Sequence, residues 1–539
     1  MLAAALLISG CTSTRDYVKN GFKVGPSNAP PEACAAKHWL DAADVRVREG
    51  EEPPNRWWTV FSDPTLDHLV QCAVQQNLTL RQAGCRVLEA RAQLAITEGR
   101  LFPQTQTMTG YFDRDVVSAA ASGTAPAGFP TVPATYLDLA NVGFNLSWEF
   151  DFWGRYRRAI AAADANLDAS VAGYEDVMIT LLGDVATNYV IVRTLQQRIQ
   201  YAKENIDLER KIVSITERRH RAGQVGRLDL AQTNSVLDQT EAQIPQLQIS
   251  LRQACNRLCV LLGMPTYDLL RQLGTGDIPI APKEVTVGIP VDLLRRRPDV
   301  RRAERIAVAQ GEQIGIAEAA LYPAFGLTGT LGWEAQDVTK LFTSPAFNSS
   351  FGPGFQWNIL NYGRLRNNVR LQEAQYHEFV TAFRNVVLQA NAEAEDSLVA
   401  FLWSHEQARA LDRSVSHARE ANDILLEQYN AGAVDVTRLM LVMQTLVQQR
   451  DLQAVAHGQI AQGLVQLYRA LGGGWTAPTL PPAGTSQVSS AGTAVASPPP
   501  AILVSPATQP AAPEEIKPPE PKPLGPPPEG LPPAPAEPK

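Results

Sequence analysis

The sequence predicts an α+β chain: four β-strands of a barrel that one chain cannot close, continued by very long helices. Three observations predict it. A motif recurs 209 residues downstream, shown by Trp148 and Trp357 (357 − 148 = 209). Four short segments alternate large apolar with small or polar residues, and long proline-free stretches repeat apolar residues every seven positions.

The 539-residue chain begins with a short apolar stretch, Leu2 to Ile8, that meets Ser9-Gly10-Cys11. That is a signal h-region followed by a small-small-Cys junction, although no Lys or Arg precedes Leu2. Leu7-Ile8-Ser9-Gly10-Cys11 resembles a bacterial lipobox, so residues 1–10 are expected to be a leader and Cys11 the lipidated first residue of the mature chain. By the same resemblance, Thr12 after the Cys suggests sorting to the outer membrane. Residues 11–56 are expected to form an extended, lipid-anchored segment.

No run of about 18 or more charge-free apolar residues follows, so no single helix is expected to span a bilayer and any crossing is by strands. The net charge of −7 and pI near 5.7 argue against a nucleic-acid partner. Beyond Cys11, Cys34, Cys72, Cys85, Cys255 and Cys259 make an odd set without Cys-x-x-Cys spacing. Cys255 and Cys259, four apart on a predicted helix, read as small buried apolar residues, and no metal is expected.

The first repeat, 57–263, reads helix, two strands, long helical hairpin, and the second, 298–477, repeats it after a connector, 264–297. Arg221-Ala-Gly223 matches Asn430-Ala-Gly432, and Leu262-Gly263 matches Leu471-Gly472, both at the same offset (432 − 223 = 209; 472 − 263 = 209). Leu101-Phe-Pro103 matches Leu321-Tyr-Pro323 at 323 − 103 = 220, so the first copy carries 220 − 209 = 11 extra residues, assigned to the loop Ser118 to Pro133.

The four alternating segments are Thr105 to Phe112, Val142 to Phe150, Phe325 to Trp333 and Phe351 to Ile359. One apolar face, aromatic ends and a small polar second face suit a lipid-spanning barrel. From Gly154 to His220 there is no Pro, and Val171, Met178, Val185, Val192, Ile199, Ile206 and Val213 fall at steps of seven, with Tyr174, Leu181, Leu195 and Ala202 three residues after members of that row. Val380, Val387, Phe401 and Val415 continue the pattern in the second copy. Helices of this length must bury their seams on others like them. The tail 478–539 holds about half of the chain's 39 prolines and is expected to stay disordered.

Open sheet edges are not tolerated in hydrocarbon, so four strands must be completed by other subunits. An eight-stranded dimer would be plugged by its own side chains, whereas a trimer of twelve strands leaves a lumen. The segment Gly288-Ile-Pro290-Val-Asp292-Leu-Leu-Arg-Arg-Arg-Pro298-Asp299, running on to Ala303-Glu304, Gly315-Ile-Ala317 and Leu321-Tyr-Pro323, resembles the most characteristic stretch of the TolC/OprM-type outer membrane factors, NodT-like lipoprotein branch. Trp57-Trp58, Phe61-Ser-Asp63 and Asn77-Leu78 are similar to that family's first segment. The resemblance implies a trimeric outer membrane factor with a twelve-stranded β-barrel and a long-helix periplasmic α-barrel. It also implies docking to a periplasmic adaptor (membrane fusion protein) and an inner-membrane resistance-nodulation-division pump. Physically, Arg297-Pro298-Asp299 reads as a helix start.

No hydrolase, zincin or P-loop motif is present, and no catalytic residue or cofactor is expected beyond the lipid on Cys11. A type I secretion channel and a periplasmic coiled-coil scaffold are the competing readings, and the scaffold leaves the four strands unexplained. The turns Gly223-Gln-Val-Gly226 and Gly432-Ala-Val-Asp435 are expected to be left-handed helix caps. By the resemblance they also surround the closed periplasmic mouth and contact the adaptor. Family members carry an acidic residue nine positions after the second turn Gly and a basic one three further on, but here those places hold Leu441 and Gln444 (432 + 9; 432 + 12). The gate is therefore expected to combine an apolar constriction at Leu441 with charge pairs near Asp435, Arg438 and Asp229, opposite Arg227.

Overall fold

The computed structural model describes residues 14–26, 31–32, 36, 38–49, 54–117, 135–290 and 296–473. All lie in one unit, Met1–Ala477. The expectations for Cys11, Cys34, the loop Ser118 to Pro133 and the tail 478–539 fall outside the described residues.

The N-terminal segment is not wholly extended: it contains a short helix, α1 (Thr14–Lys19), and a two-residue strand, β1 (Val47–Arg48). In the first repeat, Asp63 starts α2 (Pro64–Gln76) by accepting from the Thr65 and Leu66 N–H groups, and Asn77 starts α3 (Leu78–Gly99) by accepting from Leu80 N–H. Strands β2 (Thr105–Val117) and β3 (Thr135–Glu149) follow, then α4 (Arg155–Arg221) and α5 (Arg227–Leu261). The connector holds α6 (Leu269–Leu273) and β4 (Val285–Thr286), which pairs in parallel with β1. In the second repeat come α7 (Pro298–Ala319), β5 (Ala324–Ala335), β6 (Phe347–Gln356), α8 (Arg364–Asn430) and α9 (Val436–Ala470).

The duplication is kept residue for residue in the helices. Both α4 and α8 have 67 residues and both α5 and α9 have 35, with starts at 364 − 155 = 209 and 436 − 227 = 209. At 1.5 Å per residue, each 67-residue helix runs about 100 Å. Helices α3 and α7 are 22 residues each, at 298 − 78 = 220. Pairing of Thr105 with Ser147 and of Ala324 with Gln356 places the strands at 324 − 105 = 219. One of the eleven extra residues, Gln104, therefore lies before β2 and the other ten between β2 and β3.

The fourth strand differs from expectation. It is Phe347–Gln356, and Trp357 to Ile359 lie beyond it. Ser349 interrupts the apolar parity at its start, while Trp357-Asn-Ile359 continues the alternation past the point where β5 begins at Ala324, opposite Gln356.

The heptad seam is the core. Val185, Val192 and Ile199 are buried in one cluster with Leu258, Phe401, Leu464 and Leu467 from the other long helices, and Ile206 is buried further along α4. Near the strands, Val171 and Met178 are only half-buried. One window of α4 is long and apolar enough to cross a membrane, but 61% of it is buried in the helical core, as a packing seam requires. Cys255 and Cys259 are fully buried there as free thiols. Pro298 opens α7 as expected, and buried Arg297 clasps Asp299 and Glu393 at 2.7 Å each while donating to the Ala470 carbonyl at 2.9 Å. The arginine's work is to join α7, α8 and the end of α9.

Candidate functional site: sheet edges and hairpin tips

The four long strands form one antiparallel sheet in the order β2-β3-β5-β6. Because side chains alternate, one face collects Phe144 opposite Leu331, Trp148 opposite Leu327 and Trp333 opposite Phe347. The other collects Asn145 opposite Thr330 and Ser147 opposite Thr328. The apolar face is open: Phe351 is 73% exposed and Phe355 71%. Among the described residues, strands β2 and β6 each pair on one side only, so the sheet ends in two free backbone edges.

At the far end of the helices the predicted turn glycines do act as caps. Gly223 (φ 73°) follows α4, with Gln224 N–H donating to the Arg219 carbonyl at 2.9 Å. Gly432 (φ 77°) repeats this after α8, with Ala433 N–H donating to the Gln428 carbonyl at 2.9 Å. Both are Schellman-type ends, in which a glycine takes the left-handed residue. Gly226 is the N-cap of α5, and its N–H donates to Asp229 Oδ2 at 2.9 Å.

The expected charge pairs are not formed within one chain. Asp229 is spent on capping α5. Asp435 is the N-cap of α9 and Arg438 the third residue of that helix, and no ion pair joins Asp435, Arg438, Arg227 or Asp229 to one another. Leu441 is 65% exposed on α9.

A contact that sequence reasoning missed closes the tips on each other. Arg219, in the last turn of α4, stands 4.4 Å from the ring centroid of Tyr429 and donates from Nη2 to the Tyr429 and Asn430 carbonyls, which end α8 without helical partners. The Tyr429 hydroxyl lies 2.9 Å from Thr216 Oγ1, both groups buried. Ile212, Leu425, Val436, Leu439 and Met443 form an apolar cluster beside them. The available signal was a departure from the repeat: the counterpart of Arg219 is Gln428, and that of Thr216 is Leu425 (219 + 209; 216 + 209).

Polar groups are also buried between the helices. Glu209 on α4 accepts from Thr240 Oγ1 on α5 at 2.9 Å, and its second oxygen has no partner. Burial pushes this carboxyl up to about 7, the Thr240 bond pulls it down and Glu241 adds to the rise. Glu175 on α4, held by Arg301 of α7 at 2.7 Å, is raised by burial to about 7 as well. Among the described residues, no group of three or more His, Cys, Asp or Glu is placed to hold a metal ion.

The chain is similar to known proteins in sequence and fold. Residues 69–264 and 289–473 match the family model described as outer membrane efflux protein. Nodulation protein T of Rhizobium leguminosarum bv. viciae is 29% identical over 484 residues, covering 88% of this chain and 94% of that protein. The pyoverdine export outer membrane protein OpmQ of Pseudomonas aeruginosa is 30% identical over 485 residues, covering 88% and 96%. The solved structure of the outer-membrane channel OprN superposes with a TM-score of 0.77 at 30% identity, covering 84% of this chain and 99% of that one.

Proposed function

The chain belongs to the outer membrane efflux protein family and so to the outer membrane, and from that premise we propose that three copies form the exit channel of a tripartite efflux system. An inner-membrane pump of the resistance-nodulation-division class delivers substrates through a periplasmic adaptor, and the tube conducts them passively. One observation carries this reading: a four-stranded sheet with one apolar face and two free edges is joined directly to two 67-residue helices. In hydrocarbon each unpaired backbone group costs several kcal/mol, so the edges must close on other copies. Three copies give a twelve-stranded barrel, lipid outside and the Thr, Asn and Ser face inside, continued by twelve long helices in the periplasm. Such a lumen offers small hydroxyl and amide groups and no converging site, so it discriminates weakly.

The hairpin tips at Gly223, Gly226 and Gly432 form the periplasmic mouth and meet the adaptor. Leu441 narrows that mouth, and charge pairs near Asp435, Arg438 and Asp229 help to close it. Cys11 carries the lipid that fixes each copy to the membrane. The test is twofold. Cells lacking the chain but keeping the pump should accumulate more of an exported dye, and the purified protein should conduct ions in planar bilayers without ATP. Unchanged accumulation together with no conductance would remove the reading.

A further inference from the structure

Where the strands give way to helices, α3, α4 and α7 surround a hollow of about 390 Å³. Glu149 fixes the side on which it opens. This last residue of β3 shares a face with Asn145 and Ser147, because side chains alternate along a strand. The Tyr156 hydroxyl donates to Glu149 Oε2 at 3.1 Å, and Arg155 Nη1 lies 3.5 Å from Glu149 Oε1. Tyr156 and Arg155 both line the hollow, which therefore opens on the side of the hydroxyl and amide face of the sheet.

The duplication supplies a second groove for comparison, since α7 and α8 repeat α3 and α4. Where the first repeat has Ala90, Ala163 and Asn166, the second has Gln310, Gln372 and Gln375 (90 + 220 = 310; 163 + 209 = 372; 166 + 209 = 375). Gln310 Nε2 donates to Gln372 Oε1 at 2.8 Å and to Gln375 Oε1 at 3.2 Å, so amides bridge the second groove. Ala90 and Ala163 are too short to bridge the first. Charge differs as well: Arg100 follows the last residue of α3, and its counterpart after α7 is Ala320 (100 + 220 = 320). Packed proteins keep few voids larger than a water molecule. A hollow left open by small residues in one repeat, and bridged in the other, points to an occupant.

The lining says what that occupant is. It holds two guanidiniums, Arg100 and Arg155, and no carboxylate. Arg155 has its contact with Glu149, while among the described residues Arg100 has no ion-pair partner. Both stand at the strand end of the hollow, because Arg100 caps the end of α3 and Arg155 opens α4. From there a floor of Ala159, Ala162 and Ala163 runs along α4 to Asn166, about 16 Å away at 1.5 Å per residue. A guanidinium forks onto a carboxylate or sulfonate, and the alanine floor accepts an apolar body. The volume falls within the range of about 300–1,000 Å³ that small-molecule sites occupy. Resting on the channel reading above, we propose that this hollow is a lumenal binding station for amphiphilic organic anions in transit, with Arg100 and Arg155 holding the anionic group and the alanine floor the apolar body. The strand-lined stretch of the lumen has no converging site, and the station lies beneath it, one in each copy.

Equilibrium dialysis of the purified full-length protein against labelled naphthalenesulfonate tests this, with naphthylmethylammonium as the cation of similar apolar body. The sulfonate should bind saturably, and the ammonium about tenfold more weakly or less. Arg100→Ala should weaken sulfonate binding about tenfold without weakening the ammonium, and Arg100→Lys should recover part of the loss because the charge is kept. Ala90→Gln with Ala163→Gln copies the amide bridge of the second repeat and should abolish sulfonate binding. In planar bilayers the sulfonate should reversibly lower the single-channel current of the unaltered protein, and not that of the bridged variant. Equal binding of the two ions, no saturable binding, or binding that survives both Arg100→Ala and the bridged variant overturns the proposal. Saturable binding with no effect on current places the hollow outside the conducting path and overturns it too. A protein that conducts no ions at all removes the channel reading itself, and the station with it.

Discussion

The guanidinium of Arg219 lies over the ring of Tyr429, 4.4 Å from its centroid, and so binds the tip of the first helical hairpin to the last turn of the second. A partly desolvated contact of this kind contributes about 0.5–2 kcal/mol, and it also satisfies two carbonyls at the end of α8. Arg219→Ala should speed amide exchange over Gln428 to Ala433 and raise resting conductance. Arg219→Lys should restore little, because an ammonium cannot both fork to two carbonyls and lie flat on a ring. Unchanged exchange and conductance in Arg219→Ala would mean the tips are held by the Leu439 and Met443 cluster alone.

Leu441→Asp should raise single-channel conductance, since three carboxylates around the axis repel one another. Arg438→Ala should do so more weakly, because exposed charges of this type contribute about 1 kcal/mol or less. If neither changes conductance or antibiotic leakage into cells, the constriction lies elsewhere on these helices.

Glu209 gives the helical region a pH dependence of definite sign. Its carboxyl is raised from the ordinary value of 4.5 to about 7 in the folded chain, chiefly by burial. Between those values the folded state holds a proton that the unfolded state has lost, so stability falls as pH rises from about 4.5 to about 7 and is level above. Glu209→Gln keeps an acceptor for Thr240 and carries no charge. It should leave thermal stability at pH 4.5 unchanged and raise it at pH 8 by about 1–3 kcal/mol. An unaltered pH profile of unfolding in detergent would show that Glu209 is solvated in the assembled channel.

Lipidation at Cys11 is expected from the Ser9-Gly10-Cys11 junction. Mass spectrometry of the mature N-terminus should find an acylated Cys11, and an unmodified Cys11 or a different first residue would contradict it.

Much of this architecture was legible because a duplication repeats its own signals. The offset read from Gly223 and Gly432 is the offset of the helices themselves, and the step-of-seven apolar row marked Val185, Val192 and Ile206 as core before any packing was known. Strand ends were less legible, because Trp357-Asn-Ile359 keeps alternating after the backbone has left the sheet. The gate residues were the least legible. Asp435 and Arg438 look paired by spacing, and they are the N-cap and the third residue of α9, yet no ion pair joins them within one chain. Arg219 and Tyr429 lie 429 − 219 = 210 residues apart, and only the folding of one hairpin against the other brings them together.

The central claim is that three chains close one barrel and that the proline-rich tail takes no part. Native mass spectrometry of the detergent-extracted protein, truncated after Ala477, tests both at once. The account predicts a single assembly of three chains. A monomer or a dimer would contradict it.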